Sequence, residues 1–124
     1  MLFMKKILGI VLSLMLVLSM VGCESQEGYE ARVVKAVQDK IETKWKNSVS
    51  YVNITDREWT YHKTDNGEEY VQMAGIFVNG YSVPIVTKIY IDTKDGYITR
   101  VVTDSNGQHY DDTLPKNENS KIDL

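Results

Sequence analysis

The stretch YVQMAGIFVNGYSVPIVTKIYIDTKDGYITRVV, Tyr70 to Val102, decides the fold. It is rich in β-branched and aromatic residues, which favour a pleated, half-buried surface. Two turn dipeptides interrupt it, Asn79-Gly80 and Asp95-Gly96, and both read as hairpin connections between antiparallel strands. If each is a two-residue loop, Ile76 faces Val83, Ala74 faces Ile85, Tyr70 faces Ile89, Ile91 faces Arg100 and Ile89 faces Val102. One face then gathers Ile76, Ala74, Ile85, Val83, Ile89, Ile91, Ile98 and Val102, with Arg100 as the dissenting residue at its rim. The other carries Met73, Phe77, Val86, Tyr90 and Val101, unusually apolar for a solvated sheet face. Pro84 marks a bend or bulge on the long strand.

Outward from this core the pattern continues. Val49–Ile54 and Arg57–Lys63 read as further strands, separated by Thr55-Asp56 and followed by the turn Asp65-Asn66-Gly67. Upstream, Tyr29–Asn47 has helical periodicity, with Val34, Val37, Ile41 and Trp45 in one stripe that Val33 and Ala36 widen. Lys40, Lys44 and Lys46 favour the negative end of the helix dipole. The expected fold is α+β, one N-terminal helix packed on a curved four- to five-stranded antiparallel sheet. Residues 29–110 form that single domain, and 111–124 read as a polar, disordered tail.

The beginning of the chain is of another kind. Lys5 and Lys6 precede a mostly apolar run, Ile7–Val21, which is shorter than the about 20 residues a spanning helix needs and matches a signal peptide. The run ends in Met20-Val21-Gly22-Cys23, which resembles the lipobox of bacterial lipoproteins with methionine where leucine is usual. The resemblance implies that residues 1–22 are removed and that Cys23 becomes the first mature residue. Cys23 would then carry a thioether-linked diacylglyceryl group and an acylated amine such as a palmitate. Its thiolate is the nucleophile that this chemistry needs. Residues 23–28 then act as a polar tether. Removing residues 1–22 leaves 102 residues, with 12 basic and 17 acidic side chains, a net charge of −5. So acidic a product without a basic block is a poor partner for nucleic acid. Cys23 is the one cysteine, so no disulfide within the chain supports the fold.

Chemistry-bearing patterns are sparse. His62 and His109 stand far apart with no metal-ligand spacing, and zinc wants about four ligands. The acidic turns, Asp65 to Glu69 and Asp92 to Asp95, lack the alternation of a calcium loop. No nucleophile elbow and no phosphate-cradling glycine loop occurs. The expectation is a protein that is not an enzyme, with no cofactor and no metal. Eight tyrosines form the one enrichment, and tyrosine supplies rigid, amphipathic contact area. Phe77, Tyr81, Tyr90 and Tyr97 are the candidate partner-binding residues.

The helix-then-meander order, the size and the lipobox together resemble the small cystatin-like-fold lipoproteins of Gram-positive bacteria. The resemblance implies one helix cradled by the sheet and a place at the extracytoplasmic face of the cell membrane, held through the lipid on Cys23. Gln72-Met73-Ala74-Gly75 departs from the Gln-x-Val-x-Gly hairpin of cystatin inhibitors, because its glutamine and glycine are three apart and lie inside a strand. Protease inhibition is therefore not implied. The expected function is a lipid-anchored binding or accessory module acting on an envelope protein partner. The alternative is a carrier of a small apolar ligand between Val37 and Ile41 on the helix and Ile85 and Ile89 on the sheet.

Overall fold

The computed structural model describes residues 24–124, so Cys23 and the leader lie outside the described residues. The described residues fall into two units, 24–30 and 31–124. In the first, Ser25 opens helix α1 (Gln26–Trp45). Its hydroxyl accepts the Gly28 N–H at 3.1 Å and its carbonyl accepts the Tyr29 N–H at 2.9 Å. Serine is favoured there because its oxygen satisfies a donor that the first helical turn leaves orphaned. The helix thus starts three residues before Tyr29 and takes up half of the expected tether. In the second unit α1 packs on the sheet through Val33, Val37 and Ile41, all buried. Val34 and Trp45, also expected in the stripe, are half-buried.

The strand expected over Val49–Ile54 is replaced by a single helical turn, α2 (Val49–Val52), closed by the Val52 N–H on the Ser48 carbonyl at 3.0 Å. Strand β1 runs unbroken from Ile54 to Lys63. It absorbs Thr55-Asp56 as a β-bulge, with Asp56 left-handed at φ 52°. Across from the bulge sits Gly75, where an added Cβ would lie 2.7 Å from Ile54 Cγ2 and 2.9 Å from the Thr55 carbonyl oxygen. A side chain there would collide with the bulged backbone, so the strand interior carries glycine.

Strands β2 (Glu69–Val78), β3 (Ser82–Asp92), β4 (Tyr97–Ser105) and β5 (Gln108–Thr113) complete a five-stranded antiparallel meander in chain order. The fold is the expected α+β arrangement, a helix on an antiparallel sheet with cystatin-like topology.

The register corrects the sequence expectation. Val78 pairs with Ser82, so the β2–β3 loop has three residues, Asn79 to Tyr81. Only Gly80 in it is left-handed, whereas a type I′ turn needs both central residues so. The extra residue turns every β2 side chain over relative to β3. Val71 and Met73 therefore face the helix, and Ala74 and Ile76 face outward. The β3–β4 turn spans four residues, and a bulge at Thr99 follows, between the pairs Ile91–Ile98 and Tyr90–Arg100. Ile98 and Val101 then lie with Ile89 and Ile91 on the inner face. Arg100 and Val102 lie on the outer one, opposite Tyr90 and Lys88. Arg100 is no rim exception inside the core; it belongs to the other face.

The expected disordered tail is also corrected. Asp111 to Thr113 belong to β5, and the chain beyond folds back along β4. The Ile98 N–H donates to the Ser120 carbonyl at 2.7 Å and the Ile122 N–H to the Gly96 carbonyl at 2.8 Å. Ser120 and Ile122 are buried. Lys116 reaches Asp92 at 2.7 Å and Asp95 at 3.0 Å.

Candidate functional site

Helix α1 stops at Trp45, short of the sheet it covers, and α2 turns across the gap. The Ser48 N–H donates to the Trp45 carbonyl at 2.8 Å. This brings the Tyr51 ring edge-on to Trp45, with centroids 6.3 Å apart. On its other side the Arg57 guanidinium stands 4.3 Å from the Tyr51 ring centroid, a cation–π contact. Behind these rings lies a cavity of about 230 Å³, lined by Trp45, Ser48, Tyr51, Ile54, Met73, Ile85, Thr87 and Thr103. Thr87 and Thr103, opposite one another on β3 and β4, share a hydrogen bond at 3.1 Å. The Tyr51 hydroxyl is buried and is the one such side-chain polar atom among the described residues with no hydrogen bond. Burial pushes the Tyr51 phenol above its ordinary pKa, and the neighbouring Arg57 guanidinium works against that rise.

Exposed apolar side chains stand at the hairpin end of β2 and β3 and, separately, on β5. Val52 follows Tyr51, and Val78 is joined to Asn53 by its N–H on the Asn53 carbonyl at 2.9 Å. Tyr81, at the tip of the β2–β3 hairpin, is 82 % exposed. Tyr110 pairs with Thr103 from β5. Val52, Val78, Tyr81 and Tyr110 are four of the five large apolar residues that stand exposed among the described residues, Leu124 being the fifth.

The outer face of the sheet carries a different construction. His62, Tyr70, Tyr90 and Arg100 are successive cross-strand neighbours on β1 to β4. His62 and Tyr70 stack at 5.1 Å, Tyr70 and Tyr90 follow at 5.0 Å, and the Arg100 guanidinium stands 5.1 Å from the Tyr90 ring centroid. Arg100 closes the row with a bidentate pair to Asp111, at 2.8 and 2.5 Å. The rings cover one another's faces, so the row is a clasp across the sheet more than an open stacking platform. The Arg100 guanidinium, through its hydrogen bonds, holds the Asp111 carboxyl below the usual carboxylate range.

The candidate residues from the sequence divide among these places. Phe77 is half-buried near the hairpin end, paired with Ile54 and Val83, and Tyr81 is close by at the tip. Tyr90 sits in the outer row. Tyr97 begins β4 at the opposite end of the sheet, bridged to Lys121 with Lys116 over its ring at 5.9 Å. The structure thus groups Phe77 with Tyr81 and separates them from Tyr90 and Tyr97. Cys23 lies outside the described residues. Tyr51, Val52 and Tyr110 come from a helical turn and a fifth strand that the sequence pattern read as strand and tail.

No protein-family model, no curated protein and no solved structure matches this chain. Among the described residues no three His, Cys, Asp or Glu side chains are grouped to hold a metal ion. Three of the turn carboxylates have partners within the chain: Asp92 and Asp95 with Lys116, Glu69 with the Tyr61 and Thr93 hydroxyls. No described helix is long and apolar enough to cross a membrane. Val37 and Ile41 on the helix and Ile89 on the sheet, expected to border a ligand space, are buried at 0 to 2 % exposure. The space lined by Trp45 and Ile85 lies at the C-terminal end of α1 instead.

Proposed function

We infer that the chain is a lipid-anchored binding module at the extracytoplasmic face of the cell membrane, non-catalytic and working through protein contacts. One observation carries the contact reading. Val52, Val78 and Tyr81, three of the five exposed large apolar residues of the described chain, lie together where Asn53 meets the end of β2 and the β2–β3 hairpin begins. Scattered apolar residues on a surface need no explanation, whereas a gathered set rimmed by polar residues marks an interaction site. A tyrosine at a hairpin tip adds a rigid contact at low entropic cost. The anchor rests on the lipobox resemblance at Met20 to Cys23, which would hold such a surface near envelope proteins and raise its effective concentration there.

A photoreactive residue placed at Val52 or Tyr81 of the full chain in its native host tests this. The expected result is one common adduct from both positions, absent when the same residue stands at Asn66 in the β1–β2 turn and lost on Val78→Asp. Equal labelling from all positions, or none from Val52 and Tyr81, would sink the reading.

A further inference from the structure

We propose that the chain self-associates along the outer edge of β1, pairing with a second copy across a two-fold axis at Thr60 and joining two five-stranded sheets into one. Strand β1 closes one side of the meander, and no strand of the described chain pairs with its outer edge. Such an edge presents backbone N–H and C=O groups ready to pair with another strand. The bulge between Thr55 and Glu58 spoils one end of it and leaves Glu58 to Lys63 regular. The opposite edge, β5, is shorter and carries the adjacent Asp111 and Asp112, charges that discourage pairing.

The order of residues along the strip selects a second copy as the occupant. Trp59 and Tyr61 pair with the buried Met73 and Val71 and so share the helix-facing side. Glu58, Thr60 and His62 pair with Ala74, Gln72 and Tyr70 on the other side. A two-fold axis perpendicular to the sheet keeps each face continuous, so it passes through a residue and matches side chains of the same face. Centred on Thr60, it sets Trp59 against the second copy's Tyr61, Glu58 against its His62, and Thr60 against its own counterpart. Aromatic pairs, acid–base pairs and threonine pairs are the cross-strand combinations that stabilise a sheet. His62 is already held in place, stacked on Tyr70 at 5.1 Å with Thr60 Oγ1 on its Nε2 at 2.8 Å, and Glu58 is exposed. Arg57, which would otherwise meet Lys63, is turned onto the Ile54 carbonyl at 3.0 Å. Centring on Trp59 would draw in the bulge, and centring on Tyr61 would part Glu58 from His62. These residues are not those of the contact reading at Val52, Val78 and Tyr81, so failure here would leave that reading intact.

So short a strip makes a dimer that dilution would dissolve, and the test therefore traps it in place. Cysteine is added at one position at a time in the full chain, expressed in its native host and oxidised with copper phenanthroline. Residues facing one another on antiparallel strands lie within reach of a disulfide. Expected is a covalent homodimer from Thr60→Cys, and none from Asn66→Cys or from the unsubstituted chain, which carries Cys23 alone. Chains bearing Glu58→Cys should link to co-expressed chains bearing His62→Cys, and neither should link to its own kind. That pair is an independent readout should Thr60→Cys lower the urea midpoint. Adding Thr60→Lys to both chains, which opposes two cations at the axis, should abolish their link and leave the urea midpoint unchanged. The proposal is overturned if the Glu58–His62 link does not form, if Glu58→Cys links as readily to its own kind, or if Thr60→Cys captures a different protein instead.

Discussion

Arg100 shows how one side chain can join separate strands without entering the core. It lies against Tyr90 on one side and forks onto Asp111 on the other, so β3, β4 and β5 meet at a single guanidinium. The fork geometry matters, because a lysine could supply the charge but not two parallel donors. Asp92 stands in the same relation to the folded-back C-terminal segment. The Lys116 hydrogen bond holds its carboxyl below the usual value, and the Asp95 and Lys94 backbone N–H groups add to that. Both acids have native pKa values depressed below the unfolded ones. Their contribution to stability is therefore complete above the ordinary carboxylate range near pH 4 and is lost as pH falls through the depressed native values. The expected outcome is a denaturation midpoint that is flat above about pH 5 and declines below pH 4. The slope should be shallower in the double variant Asp92→Asn, Asp111→Asn. Urea unfolding between pH 2 and 7 checks this, and an unchanged acid slope in the variant would refute it. Both pairs are exposed, so salt should reduce the effect.

At the scale of elements, the C-terminal segment is the sharpest case, because its composition and its structure disagree. Residues 114–124 are mostly polar, which reads as disorder, yet one isoleucine and one serine within them are buried. Ser120 is paired through its hydroxyl with the Pro115 carbonyl at 2.6 Å, and its own carbonyl accepts the Ile98 N–H. A single buried anchor in a polar segment leaves no periodicity to detect. Ile122→Ala should cost about 2–4 kcal/mol by chemical denaturation, as for other buried isoleucines; a disordered tail would show no change. The turns show the same limit. Asn79-Gly80 and Asn106-Gly107 are the same dipeptide, but only at Asn106-Gly107 are both residues left-handed, as in a type I′ turn between Ser105 and Gln108. At Asn79 the loop takes in Tyr81 as well, and that one residue moved Val71 and Met73 inside and Ile76 out. The helix stripe, in contrast, was legible because Val33, Val37 and Ile41 repeat over several turns, and β3 because its inward residues did not depend on the loop. Gly75 marked its bulge in the sequence only as a gap in a strand; the reason, Ile54 and the Thr55 carbonyl pressed against it, is tertiary. Of the candidate site, Phe77 and Tyr81 could be found from residue type and turn position. Tyr51 could not, since its role depends on α2 turning back under Trp45.

In the whole molecule, one layer of helix limits how much of the sheet the domain can cover. A single 20-residue helix cannot cover both ends of a five-stranded sheet. One end is closed by the returning C-terminal segment, whose Ile122 carbonyl oxygen would lie 3.2 Å from a Cβ at Gly96. At the other end α2 supplies only four residues, leaving a cavity and a fringe of exposed apolar side chains. Such a fringe is a liability for a freely diffusing protein and an asset for one held where its partner is. This makes the anchor a testable part of the design. One acyl chain binds a bilayer only marginally, whereas two or more hold firmly, so the proposed anchor predicts that loss of Cys23 is felt as an all-or-none change. Full-length chain expressed in its host should partition into the detergent phase on cloud-point separation. Cys23→Ala should move it to the aqueous phase or leave it as uncleaved precursor of higher mass, and the contacts from Tyr81 should disappear with it. If Cys23→Ala leaves partition, mass and Tyr81 contacts all unchanged, the tether is not on this cysteine and the membrane-local reading fails.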